Sequence, residues 1–266
     1  MDVPIYAMDM LEGIIVGTRN ERLLVEVEGS EYESKWPSSN SDSKQDSKQE
    51  DVIPLNAGGI RQLLDKGIVN IPCLLTKDSN NCTIRAVSFQ NGADGKKNWV
   101  GVDTALSKDV VKYFLKNKVL LGTLTSSYDS LYGEVVRDAK LGNLDMDFRV
   151  GNNYIEVKAP ESELVLDHGT ITVRPVFAYT EGEFKEQTEK ICEQLKEYDS
   201  AAIAAVYQTG EMNIFKAPQY VVPWNESIVG VLDKAYRNSL EICEISMRIN
   251  EEGICLLWSR NIADKV

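Results

Sequence analysis

The hydrophobic period changes partway along the chain. From Leu11 to Val27 apolar and polar residues alternate about a turn signal at Asn20-Glu21, the pattern of a β-hairpin. Ile68 to Thr76 and Thr83 to Gln90 read as two further strands, and Asn56-Ala57-Gly58-Gly59 leads into a short helix-like segment, Ile60 to Asp65. Short strands with this helix among them predict a small β-barrel of the OB type. Between residues 29 and 52 the composition shifts to Ser, Lys, Gln, Asp and Glu, with Asp-Ser-Lys-Gln at 42–45 and again at 46–49. Such a stretch buries too little apolar surface to offset the entropy of ordering it, so a disordered insertion is expected there.

Beyond the polar cluster Asn91 to Asn98 the period becomes helical, with Val110, Val111, Phe114 and Leu115 on one stripe of a helix from Leu106 to Asn117. A short element near Leu131 to Val136 precedes strands at Leu144 to Val150, Tyr154 to Lys158 and around Thr170 to Val173. A long helix, Glu181 to Tyr198, leads into the apolar run Ala201 to Tyr207, short enough for a buried parallel strand. Helix Glu226 to Ser239 and a hairpin through Ile242 to Met247 and Gly253 to Trp258 complete the pattern. Helices alternating with buried strands predict α/β layers. The expected organisation is therefore α+β overall: an OB-type domain over residues 1–97, then an α/β domain over residues 98–266.

Length supports two modest domains, since 266 residues exceed the usual size of one. A net charge of -12 argues against a protein that coats nucleic acid or anionic membrane by bulk charge, so any contact with phosphate must be local. No window approaches a membrane span, and Met1 to Gly17 lacks the marks of a signal peptide, so a cytoplasmic protein without membrane contact is expected. Five cysteines without a CxxC pair suggest buried free thiols. The single histidine, His168, lies in a turn-like Asp-His-Gly and is read as a loop residue.

Chemistry concentrates in one hairpin, residues 144–158. Alternation puts Met146, Phe148, Val150, Ile155 and Val157 toward the core and leaves Asp147, Glu156 and Lys158 on the opposite face. A two-residue loop at Gly151-Asn152 sets Asp147 opposite Glu156, whereas one at Asn152-Asn153 sets it opposite Lys158. A Glu-x-Lys pair on a strand is commonly a solvated ion pair. With Asp147 on the same face, however, two carboxylates would repel across the strands unless a cation lay between them. A hard divalent ion, Mg2+ or Mn2+, takes such oxygen ligands and keeps waters, which beside Lys158 is metal-dependent phosphodiesterase chemistry in outline.

The run Trp99-Val100-Gly101-Val102-Asp103-Thr104-Ala105-Leu106, then Tyr128 to Leu131, Gly133-Glu134-Val135, Met146-Asp147-Phe148 and Tyr154 to Lys158, resembles the sugar fermentation stimulation protein A family in order and spacing. Asn56 to Ile60 followed by Leu64 to Gly67 is similar to that family's N-terminal stretch. The resemblance implies an OB-type domain joined to a PD-(D/E)XK nuclease-like domain, and DNA as partner. It implies Asp147 and Glu156 as metal ligands with Glu134 as a third acid, and Lys158 as the charge-stabilising lysine. Second-tier candidates are Gln187, Lys185, Gln194 and Tyr198, the last two resembling a Gln-x-x-x-Tyr signature; no nucleic-acid-binding residue is assigned. Where the family continues Phe-Pro-Asp-Ala-x-Thr-x-Arg-Gly, this chain has Pro175 to Glu183, which keeps Ala178 and Thr180 but lacks the Asp and Arg. The alternative expectation is therefore a non-catalytic DNA-binding or regulatory protein that retains a nuclease-like fold.

Overall fold

The computed structural model describes residues 5–37, 52–78, 81–91, 96–124, 133–208, 221–223 and 225–262. After β1 (Ile5–Ala7), which belongs to another sheet, come β2 (Leu11–Arg19), β3 (Arg22–Val27), β4 (Ser30–Lys35), β5 (Val52–Pro54), α1 (Ala57–Asp65), β6 (Ile71–Asp78), β7 (Asn81–Asn91) and β8 (Lys97–Gly101). Asn20 and Glu21 both adopt left-handed backbone (φ 48° and 63°) between the paired Arg19 and Arg22, the tight turn that matches strand twist. The ring runs β4-β3-β2-β6-β7 and closes where β7 lies parallel to β4, Ser34 opposite Cys82. This is a closed five-stranded barrel, with α1 inserted between its third and fourth strands.

The expected insertion starts too early. Ser30 to Lys35 form a barrel strand whose polar composition is compensated by pairing on both edges. Ion pairs Arg19–Glu31 (3.0 Å) and Arg22–Glu33 (3.7 Å) and the Ser34 hydroxyl donating to the Leu23 carbonyl add to this compensation. Residues 38–51 lie outside the described residues, as do Tyr128 to Leu131. Within the barrel, Ile15, Val25, Leu75 and Ile84 pack with Ile60 and Leu63 of α1. The close approach of α1 depends on Gly59, where a Cβ would fall 1.9 Å from the Pro54 carbonyl oxygen.

The chain continues through α2 (Leu106–Lys116), α3 (Leu121–Leu124), β9 (Val135–Leu141), β10 (Leu144–Val150), β11 (Asn153–Lys158), β12 (Ser162–Asp167), β13 (Thr170–Pro175), α4 (Glu181–Gln194), β14 (Ser200–Tyr207), α5 (Glu226–Arg237), β15 (Leu240–Asn250) and β16 (Gly253–Asn261). A seven-stranded sheet has the order β1-β16-β15-β14-β11-β10-β9, with β14 parallel to both neighbours and the other pairs antiparallel. Val110, Phe114, Leu121 and Leu124 cover one face of it, over Phe148, Ile155, Ala204 and Ile245. Phe184, Ile191, Ile228 and Leu232 cover the other, over Met146, Ile203 and Ile242. The apolar run of β14 is buried on both faces, as its composition requires.

Core packing and strand pairing both join the barrel to these layers. Met10, Leu74, Ala86 and Trp99 pack into the same core as Phe114 and Ile245. The β12–β13 hairpin pairs with β5, and β1 pairs with β16. β12, absent from the sequence reading, pairs with β13 through a His168-Gly169 turn of left-handed backbone (φ 45° and 83°), so His168 is a solvated loop residue as expected. No cysteine forms a disulfide, and Cys73, Cys82 and Cys243 are buried. The helix expected to reach Tyr198 stops at Gln194, because Leu195 turns to extended backbone. Among the described residues no helix is long and apolar enough to cross a membrane.

Candidate functional site

Hairpin β10–β11 turns through Gly151-Asn152, with Val150 opposite Asn153 and Phe148 opposite Ile155. Of the two turns the sequence allowed, this is the one that brings Asp147 level with Glu156. Backbone pairing with β11 ends at Phe148, and one residue further the Asp147 carboxylate takes over as acceptor. Its Oδ2 receives the Val157 N–H at 2.7 Å. On the other edge Asp138, at the register position facing Asp147, has left-handed backbone (φ 52°), and pairing lapses there too.

The interrupted pleat corrects one expectation. Phe148, Val150, Ile155 and Val157 face the α2 side, but Met146 packs with Phe184 on the α4 side. All five are buried, so the sequence identified core residues correctly while assigning one of them to the wrong face.

Asp147 and Glu156 are both mostly buried, their side chains 12% and 14% exposed. Burial and the neighbouring Asp147 charge push the Glu156 carboxyl above the usual carboxylate range, while Lys158 and Lys108 draw it back. Lys158, at the carboxyl end of β11, lies 3.4 Å from Glu156 Oε1, and its Nζ sits 5.5 Å from the centre of the Tyr179 ring. Tyr179 is itself buried, and burial with the charges of Glu156, Asp147 and Glu183 raises its phenol. Among the described residues its hydroxyl has no hydrogen-bond partner. β11 and β14 run parallel here, and the carboxyl ends of parallel strands are where open α/β sheets bind ligands.

Lys108 was not foreseen. It projects from the first turn of α2, 39 residues before Asp147, and pairs with Asp147 Oδ1. One signal was available, because a cation in the first turn opposes the helix dipole and calls for a local reason. The turn that carries it is held by Asp103, whose carboxylate accepts the Leu106 N–H at 3.1 Å and pairs with Arg85 of β7. Ser107 is held from the other side, its hydroxyl accepting from Gln208 Nε2 at 2.7 Å.

Beside Lys158 a cleft of about 230 Å³ opens along the start of α4, lined by Tyr179, Glu183, Glu186, Gln187 and Lys190. Thr180 and Glu183 form a capping box, and those hydrogen bonds, with Lys158 nearby, hold the Glu183 carboxyl below its ordinary range. Gln187 lines this cleft together with Lys158. Lys185 is exposed and lies outside the cleft lining. Gln194 abuts the Gly142 turn of β9–β10, where its Oε1 would be 2.1 Å from a Cβ on Gly142. Tyr198 lies beyond the helix and is 80% exposed, so the two residues are not one helical pair.

Glu134 is also separated from the cluster. Val135 pairs with Val150, which places Glu134 four residues from the Asp147 level, about 13 Å along the strand. It is exposed, next to Gly133, which abuts the Gly151 turn. No group of three or more acidic, histidine or cysteine side chains suited to a metal occurs among the described residues. Asp147 and Glu156 are the two mostly buried carboxylates of this cluster. Two carboxylates still fit Mg2+, which is usually held by one or two and keeps several waters.

No protein-family model matches the chain, and no curated protein matches it in sequence. Among solved structures it is similar to SfsA of Pyrococcus furiosus, described in complex with Ca2+, at 11% identity and a TM-score of 0.54, covering 98% of each chain. Barrel and layered sheet are matched together, so the chain has the SfsA fold over almost its whole length.

Proposed function

We propose that the chain is an SfsA-like protein that binds nucleic acid, DNA foremost, and hydrolyses phosphodiester bonds at a divalent-cation site held by Asp147 and Glu156. In this reading residues 1–97 are the OB-type domain and residues 98–266 the PD-(D/E)XK nuclease-like one. The observation that carries it is two mostly buried carboxylates, one raising the pKa of the other, at the carboxyl end of β11 beside a half-exposed lysine. Bound Mg2+ or Mn2+ would supply Lewis acidity to a phosphodiester. Asp147, fixed by the Val157 N–H, and Glu156 would hold it, and Lys158 would donate to the charge developing on the phosphate. Gln187, in the adjoining cleft, would orient the ligand.

The barrel's basic residues support local recognition rather than tight coating, since Arg19, Arg22 and Arg85 are paired with Glu31, Glu33 and Asp103. Glu156→Ala should abolish Mg2+-dependent cleavage of a DNA substrate while circular dichroism stays native. Cleavage at the wild-type rate would remove the catalytic assignment. A second reading, DNA binding without catalysis, is favoured by Lys108, whose ammonium already balances Asp147. Calorimetry separates the two, because no heat at millimolar Mg2+ or Mn2+ selects the second.

A further inference from the structure

Lys108 is built into its place. Asp103, 5% exposed, accepts the Leu106 N–H at the start of α2, and Gln208 grips Ser107. With the backbone fixed from both sides, the lysine stands where the helix dipole disfavours a cation, so its ion pair with Asp147 offsets a standing cost. Asp147 Oδ2 accepts the Val157 N–H, and Lys108 occupies Oδ1. The side chain is 42% exposed, and a lysine stem can swing its ammonium several ångströms without moving the backbone.

We infer that Lys108 is an exchangeable counter-ion for the carboxylate pair. It neutralises Asp147 when no divalent cation is bound and gives up Oδ1 when one arrives. This rests on the reading of Asp147 and Glu156 as a cation site, and it adds a determinant of cation affinity in α2, outside the hairpin.

Calorimetric titration of the full chain with MnCl2, without nucleic acid, tests this. Removing a competing ammonium from one carboxylate should tighten binding about threefold to tenfold in Lys108→Met, the range expected of a partly exposed ion pair and its buried partner. Lys116→Met, which removes the same charge at the exposed far end of α2, should stay within about twofold of wild type. Equal or weaker Mn2+ binding by Lys108→Met overturns the inference while leaving the cation site standing. Heat in none of the three proteins overturns the cation site and the inference together. A second readout is melting: Lys108→Met should melt below wild type without Mn2+ and show the larger upward shift when Mn2+ is added. Equal shifts in the two proteins count against the exchange. If Lys108→Met shows no cooperative melt, Lys108→Gln gives the same comparison.

Discussion

Asp147 has two separable duties, and a pair of substitutions tells them apart. Its Oδ2 replaces a missing backbone acceptor for Val157, and its negative charge faces Glu156 and Lys108. In Asp147→Ala the Val157 N–H is left in a buried strand without an acceptor, which costs about 1–3 kcal/mol. The partly exposed contact with Lys108 adds at most about 1 kcal/mol. In Asp147→Asn the amide oxygen still accepts from Val157, and losing the lysine contact is offset by relief of the repulsion with Glu156, for a net change within about 0.5 kcal/mol. The expected result is a loss near 2 kcal/mol for Ala and almost none for Asn. Global unfolding of barrel and layers together need not be two-state, so the direct assay is native-state hydrogen exchange of the Val157 amide. Protection should fall by one to two orders of magnitude in Ala and hold in Asn. Equal protection in the two variants would refute the idea that this side chain completes the β10–β11 ladder.

Two further outcomes follow from the same geometry. Because the folded protein holds Glu156 above its ordinary range, its contribution favours folding at pH below the unfolded carboxylate value and is lost as pH rises through the folded value. Glu156→Gln should therefore be more stable than wild type at pH 7 to 8, with the gap closing toward pH 4; urea unfolding at the two pH values checks this, and a gap that widens in acid contradicts the assignment. Gly59→Ala should lower the melting temperature through a cost of about 1–3 kcal/mol, since the added methyl meets the fixed Pro54 carbonyl. Gly122→Ala, where a Cβ has open space, is the control, and equal melting of the two would refute the close approach.

Much of this arrangement was legible because it is local. Asn20-Glu21 turns where the alternation breaks, and Gly151-Asn152 sets the register that makes Asp147 level with Glu156. What alternation could not show is which side of a doubly covered sheet each residue meets. Met146 and Phe148 are both buried, but the lapse in pairing at Asp147 and Asp138 sends them to opposite cores. Lys108 was missed because its partner is 39 residues away and reaches it only through tertiary packing. Gln194 and Tyr198 misled for a different reason, in that their spacing fits a helix the chain does not continue. The polar strand β4 escaped notice because its order comes from two neighbouring strands rather than from its own composition.

The pairing of β1 with β16 also sets an order of assembly. Ile5 lies opposite Cys255 and Ala7 opposite Gly253, a separation of about 250 residues along the chain. During N-to-C synthesis the strands that close the barrel, Leu11 to Asn91, are all available long before β16 exists, so the barrel can close while β1 still has no partner. The edge strand of the layered sheet thus hangs from an already folded unit until the last strands emerge. Contacts of such high sequence separation are slow to form, which makes this final zipper, rather than barrel closure, the step expected to limit maturation of the site that the sheet carries.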